Sequence, residues 1–256
     1  ERIAQLRINL DRVRWVFRDL EDEALSVNIA AFEAVYLDHG QVRWSGRVIV
    51  GKPYRRTPIF KDYLSYVELN PSWTVPPTIL KEDILPKLRA DPGFLASKKL
   101  KLIDFNGKPI DPASIDWRTR GRGFPYFLRQ EAGPENPLGR VAFMFPNVHA
   151  VYLHDTPSRG LFELAERAFS SGCIRIEDPL ALAAEVLRDD PRWNRAAIDK
   201  ALAKGRNQRI NLPHKISIML LYLTAFPDAD GEVQFRRDVY GRDGAVLVAL
   251  DAPLRW

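Results

Sequence analysis

The chain has one cysteine, two methionines and four histidines among 256 residues. A single thiol excludes an internal disulfide framework and every metal site built from several cysteines. Cys173 must therefore be explained by its own surroundings, and in a bland apolar setting it would be an inert small hydrophobe. Histidine is too sparse for a strong metal signature. Neither His-Glu-x-x-His nor Cys-x-x-Cys occurs, and a metal hydrolase would have to draw on His149, His154, Asp155 and His214 at irregular spacing. Long apolar runs are also missing. The longest, 216–226, is interrupted by Ser217, Tyr222 and Thr224 and falls short of the roughly 18 residues a membrane span needs, so it reads as a buried strand. There is no internal repeat, no low-complexity segment, and no alternation of basic and aromatic residues of the kind a single-strand binder uses. Nucleic acid is thus a minor alternative. The chain opens on Glu1 rather than Met and reads as trimmed, so the lack of a signal peptide does not bear on secretion.

What is present is ordinary globular material: 46% apolar and 28% charged residues, enough for one large domain or one domain carrying an insertion. The net charge of +5 points to an acidic partner, whether nucleic acid, a membrane surface or a carboxylate-rich polymer. Ile3, Leu6, Leu10, Val13, Phe17 and Leu20 recur at helical spacing opposite Arg2, Arg7, Arg12 and Arg18, which predicts an amphipathic helix over 1–22. From 27 to 50 the pattern is strand-like around Asp38-His39-Gly40, a hairpin turn. Between about 75 and 130 turn signals multiply around a short helical stripe (Ile79, Leu80, Ile84, Leu88), predicting an inserted, mostly helical and loop-like subdomain. Helices are predicted over 161–169, 180–187 and 193–203, each after a polar residue followed by proline, with Gly205 as a stop. The tail, 215–226 and then 233–250, reads as strands. The fold class is β-rich α+β.

Two segments carry chemistry. In 147–154, strand alternation places His154 on the face of Tyr152 and Ala150 and turns His149 away with Val151 and Leu153. His154 ends the run just before Asp155-Thr156-Pro157 turns the chain. The second segment is Phe169-Ser170-Ser171-Gly172-Cys173-Ile174-Arg175. Gly172 permits close approach of backbone to substrate, and the N–H groups of Gly172 and Cys173 are candidate oxyanion donors. A cysteine nucleophile needs a base or cation nearby, and His154 with Arg175 can supply both. Against this stand a structural histidine and a salt-bridging arginine. His214 reads as structural.

The run His154-Asp155-Thr156-Pro157, Leu161-Phe162, then 167–175 (Arg-Ala-Phe-Ser-Ser-Gly-Cys-Ile-Arg) resembles the signature of L,D-transpeptidases with a YkuD-type catalytic domain, in the larger periplasmic YcbB-like branch that carries a capping subdomain. Val75-Pro76-Pro77-Thr78, Gly133-Pro134-Glu135-Asn136, 143–147 and 222–225 add matches, so the resemblance covers nearly the whole chain. It implies an L,D-transpeptidase fold, a mixed β-sandwich with flanking helices, over 23–256, with the cap at about 75–130. By position, Cys173 matches the nucleophile, His154 the general base, the Gly172 and Cys173 backbone the oxyanion hole, and Arg175, Tyr152, Ser171 and Asp155 substrate-binding or supporting positions. Two departures stand out: Ser171 replaces the histidine of the broader Ser-His-Gly-Cys motif, and Ala142 stands where the larger branch usually has lysine.

The resemblance implies a periplasmic enzyme of peptidoglycan synthesis, cell-wall biogenesis and cell shape, without cofactor or metal. Its partners would be stem peptides, a tetrapeptide donor and an amine acceptor, with carbapenems as inhibitors. The same residues would serve an L,D-carboxypeptidase or endopeptidase using water, or an acceptor on a lipoprotein. A non-catalytic wall-binding module is the alternative from another class, and retention of both Cys173 and His154 argues against it.

Overall fold

The computed structural model describes the chain except residues 17, 19, 92, 118–123, 229 and 254–256. Phe17 of the predicted stripe and Pro92 of the turn-rich stretch between about 75 and 130 lie outside the described residues.

Strands β1 (Glu23–Asn28), β2 (Glu33–Asp38) and β3 (Gln41–Gly51) form an antiparallel meander. His39 and Gly40 both take positive φ (49° and 75°), the two-residue turn whose twist suits a hairpin. The next strands are β4 (Phe60–Leu69), β5 (Trp73–Thr74), β6 (Leu100–Ile103), β7 (Phe127–Gln130), β8 (Val141–Met144), β9 (Leu153–His154), β10 (Ala168–Ser170), β11 (Ile174–Ile176) and β12 (Gln208–Leu221). Pairings run β3–β11–β9–β8–β4–β12–β1–β2 and return to β3, a closed mixed arrangement in which β1–β12 and β9–β11 are parallel. The fully buried Leu25, Tyr36, Leu64 and Phe143 belong to its core. Closure leaves few free edges, and β10 covers the end of β3 in parallel, with Ala168 opposite Val50.

Helix α1 (Arg2–Val16) comes first in the chain. Its packing differs from the predicted stripe: Ile3 and Leu10 are 77% and 62% exposed, whereas Ile8 and Asn9 are buried. Hydrogen bonding sets the face. Gln5 Nε2 donates to the carbonyls of Thr224 and Arg236 at 2.8 Å, and Asn9 exchanges bonds with Thr224, donating to its Oγ1 (2.8 Å) and accepting from its N–H (2.9 Å). The buried Thr224 N–H makes no other hydrogen bond among the described residues and would otherwise lack a partner.

The insertion contains α2 (Pro77–Ile79), a π-helical turn (Leu80–Ile84), α3 (Leu85–Ala90) and α4 (Phe94–Ser97). It also holds a three-stranded sheet, β5–β7–β6, which the prediction of mostly helix and loop did not include. A separate core of Ile84, Leu88, Leu102, Trp117 and Leu128 supports it.

Three further predictions are corrected. Residues 161–169 are not a helix: a 3₁₀ turn (Arg159–Glu163) leads into β10. Buried Arg167 donates to the carbonyls of Phe32, Val48 and Leu164, and those acceptors hold the chain extended. The 193–203 helix starts later, as α6 (Arg195–Ala203) capped by Asn194, while Asp178 caps α5 (Pro179–Val186) as predicted. In the tail, 215–221 belongs to β12 as predicted and β13 (Ala225–Pro227) pairs with β14 (Val233–Phe235), but 243–251 is a helix, α7 (Asp243–Asp251), tied to α1 by Arg12–Asp243 and Arg7–Asp251. Among the described residues no helix is long and apolar enough to cross a membrane.

Candidate active site

Parallel β9 and β11 set the site, with Leu153 opposite Ile174 and His154 opposite Arg175. The Ile174 N–H donates to Tyr152 O at 3.1 Å, which brings the turn before β11 against the segment before β9. That turn needs glycine: Gly172 has φ +120°, where a Cβ would be strained. Ser170 holds it closed, its Oγ accepting from the Gly172 N–H (3.1 Å) and donating to Cys173 O (2.5 Å). Of the two expected oxyanion donors, the Gly172 N–H is therefore committed, and the Cys173 N–H makes no hydrogen bond among the described residues.

Cys173, His154, Tyr152 and Arg175 line one cavity of about 580 Å³. His149 lines it too, instead of pointing away as strand alternation predicts. Asn147 is the cause: its Oδ1 accepts from the N–H of His149 and Val151, its Nδ2 donates to Val151 O, and Ala150 is left with φ +51°. His149 packs on Phe60, ring centroids 4.8 Å apart.

His154 is 5% exposed, with Nδ1 2.5 Å from Asp155 O. The Asp155 carbonyl favours the tautomer with the proton on Nδ1, and the Pro137 carbonyl also bonds the ring. Burial, then the charge of Arg175, push the imidazole pKa down to about 3, so the ring is neutral. Burial likewise pushes the Cys173 thiol up, against a smaller pull from the Tyr152 N–H, Arg175 and the Tyr152 hydroxyl. Burial raises the Tyr152 phenol, and the charge of Cys173 adds to this when the thiol is ionised. The resting pair is thus a neutral thiol and a neutral imidazole with no hydrogen bond between them; the thiol lies 3.9 Å from Ala150 O.

Asp155 reaches His154 only through its backbone. Its carboxylate accepts from Arg140 N (2.9 Å) and Arg159 Nη1 (3.0 Å), and Gly139 leaves room for it, since a Cβ there would stand 2.3 Å from Oδ2. Arg175 has a buried Nε with no partner, and burial lowers its pKa. Ser171 is exposed and accepts from Arg55 Nη1 at 2.9 Å.

Arg55 escaped the sequence reading because nothing periodic marks 54–58. It also donates to Asp83 (2.6 and 2.9 Å) and Glu82 (2.7 Å) of the insertion, spanning the two walls of the cavity. His149, His154, Asp155 and His214, considered together for a metal, do not form one ligand group among the described residues. Among the described residues the metal-competent group is Glu23, Asp189 and His214, none of which lines the Cys173 cavity.

Comparison with known proteins identifies the family. A protein of Haemophilus influenzae provisionally named an L,D-transpeptidase is 37% identical over 245 residues, covering 96% of this chain and 49% of that protein. The chain thus spans about half the length of the curated relative it matches. Among solved structures, the ertapenem-acylated L,D-transpeptidase catalytic domain of Enterococcus faecium is 11% identical (TM-score 0.37, 79% of this chain, 98% of that one). An L,D-transpeptidase of Mycobacterium smegmatis is 13% identical (TM-score 0.36, 78% and 58%). The model of the YkuD family, the L,D-transpeptidase catalytic domain, matches residues 22–193, both chemical segments included. The chain belongs to the YkuD family of L,D-transpeptidase catalytic domains.

Proposed function

We propose that this chain is the catalytic part of a periplasmic peptidoglycan L,D-transpeptidase of the larger, YcbB-like branch, forming 3-3 cross-links. The supporting observation is that the lone cysteine shares a cavity with a buried, neutral histidine inside a domain of this family. His154 Nε2 takes the Cys173 proton as Sγ attacks the carbonyl of the third stem residue, meso-diaminopimelate, and the oxyanion forms beside the Cys173 N–H. The imidazolium then protonates the leaving amine, and the terminal D-alanine departs. An amine of a second stem attacks the thioester and loses its proton to His154, restoring the thiol. Because no thiol–imidazole bond exists at rest, substrate binding would bring the two together.

The insertion is the cap in this reading. Arg55 holds it against the nucleophile turn, and a closed cap limits water at the thioester. The net charge of +5 suits a carboxylate-bearing wall polymer. The ertapenem adduct named for the Enterococcus faecium domain belongs to that protein; for this chain, acylation at Cys173 is the corresponding proposal.

The test is product analysis on disaccharide-tetrapeptides by mass spectrometry. A cross-linked dimer with free D-alanine is expected. Free tripeptide alone would make the enzyme an L,D-carboxypeptidase, and no product from the folded protein would favour a wall-binding module.

A further inference from the structure

Thr57 is fully buried and is not part of the cavity wall, yet its hydroxyl is bonded to the nucleophile turn. Thr57 Oγ1 donates to Gly172 O at 2.8 Å and accepts from the Gly51 N–H at 2.9 Å. The Thr57 N–H donates to the Tyr240 hydroxyl (3.2 Å), which donates to Gly51 O (2.6 Å). Gly51 is required here, because a Cβ would stand 2.1 Å from Arg55 O and 2.8 Å from Thr57 N. Farther out, the Tyr240 N–H donates to the Tyr222 hydroxyl (2.8 Å), which donates to Asp238 (2.6 Å). A short buried chain of hydrogen bonds thus runs from the C-terminal segment to the carbonyl of the residue before the nucleophile.

The consequence follows from peptide geometry. In a trans peptide the C=O and the next N–H point in opposite directions, and this chain has no cis bonds among the described residues. Gly172, at φ +120°, could present its peptide plane in several ways; the Thr57 hydroxyl selects the one with the carbonyl facing the interior. The Cys173 N–H of the same plane then faces away from Thr57, and it makes no hydrogen bond among the described residues.

We propose that Thr57 is a positioning residue for acyl transfer: its hydroxyl fixes the Gly172–Cys173 peptide so that the Cys173 N–H is preorganised for the oxyanion. This rests on the reading of Cys173 as the acylated nucleophile. Preorganisation matters because losing one oxyanion donor costs about 10²- to 10³-fold in rate, and an ångström-scale misplacement about 10²-fold.

The experiment compares two reactions of one thiol in wild type, Thr57→Val and Thr57→Ser. Acylation by a carbapenem forms the Sγ–C bond, breaks the lactam C–N bond and passes through an oxyanion. Alkylation by iodoacetamide displaces iodide from carbon and passes through none. Thr57→Val keeps the shape and removes the hydroxyl, so acylation is expected to slow roughly 10- to 100-fold while alkylation keeps its wild-type rate and pH profile. Thr57→Ser is expected to restore acylation. Equal acylation in Thr57→Val and wild type would overturn the proposal, and so would a parallel fall in both reactions, which would mean that Thr57 merely holds the loop. If Thr57→Val does not fold, Tyr240→Phe is read instead: a selective loss of acylation supports the proposal and an unchanged ratio of the two rates overturns it. Failure of the wild type itself to acylate would overturn the nucleophile reading beneath it.

Discussion

The two walls of the Cys173 cavity are held by different physics. On the ring side, Thr57, Ser170 and His154 are 0%, 3% and 5% exposed, and neutral hydrogen bonds to backbone fix the turn. On the insertion side, the tie to the turn is ionic. Arg55 reaches Asp83 and Glu82, whose side chains are 40% and 51% exposed, and the insertion has its own core and sheet. Buried neutral bonds resist salt, whereas half-exposed ion pairs are screened and individually weak. The proposed nucleophile is thus mounted on buried neutral bonds, and the proposed cap on ion pairs that can yield.

The largest expected effect strikes the rigid wall. His154→Gln removes the acid–base group and is expected to lower turnover about 10²- to 10⁴-fold with the protein folded, measured by thioester formation on tetrapeptide. The same variant tests the pH dependence of folding. A folded-state pKa of about 3 against an unfolded value near 6.5 means that the unfolded chain binds the extra proton between them. This contribution to stability is full above pH 6.5 and is lost as pH falls toward 3, by up to about 1.4 kcal/mol per pH unit. Urea midpoints of wild type should show this slope, and those of His154→Gln should be flatter by that amount.

A smaller effect is expected on the yielding wall. Arg55→Gln should leave the urea midpoint within about 1 kcal/mol of wild type while raising the ratio of free tripeptide to cross-linked dimer several-fold. Added salt should move wild type in the same direction. An unchanged ratio would mean that the insertion does not control water.

The smallest effect lies far from the cavity, on α1. Leu10→Gln is expected to change stability by less than about 0.5 kcal/mol, whereas Asn9→Ala, which strips the Thr224 N–H of its acceptor, should cost about 1–3 kcal/mol. The reverse order would restore the apolar stripe as the packing face.

These residues also show what could be read before the fold was known. Local structure was legible: Asp38-His39-Gly40 as a hairpin turn and Asp178-Pro179 as a helix start each depend on a few neighbouring residues. Features chosen by distant partners were not. Arg167 holds the chain entering β10 extended, instead of helical, through the carbonyls of Phe32 and Val48, Thr224 selects the face of α1, and contacts with α1 accompany α7 where the composition suggests strand. Within the site, Cys173, His154, Tyr152 and Arg175 stood out by motif. Thr57 and Arg55 did not, because their roles exist only once β3 has been brought beside the nucleophile turn.

The most direct test of the central claim is intact mass after incubation with a carbapenem, wild type beside Cys173→Ala. One covalent adduct per wild-type chain and none on the variant is the predicted result. A folded wild type that stays unmodified would contradict it and would mean that the thiol beside His154 is not an acyl-accepting nucleophile.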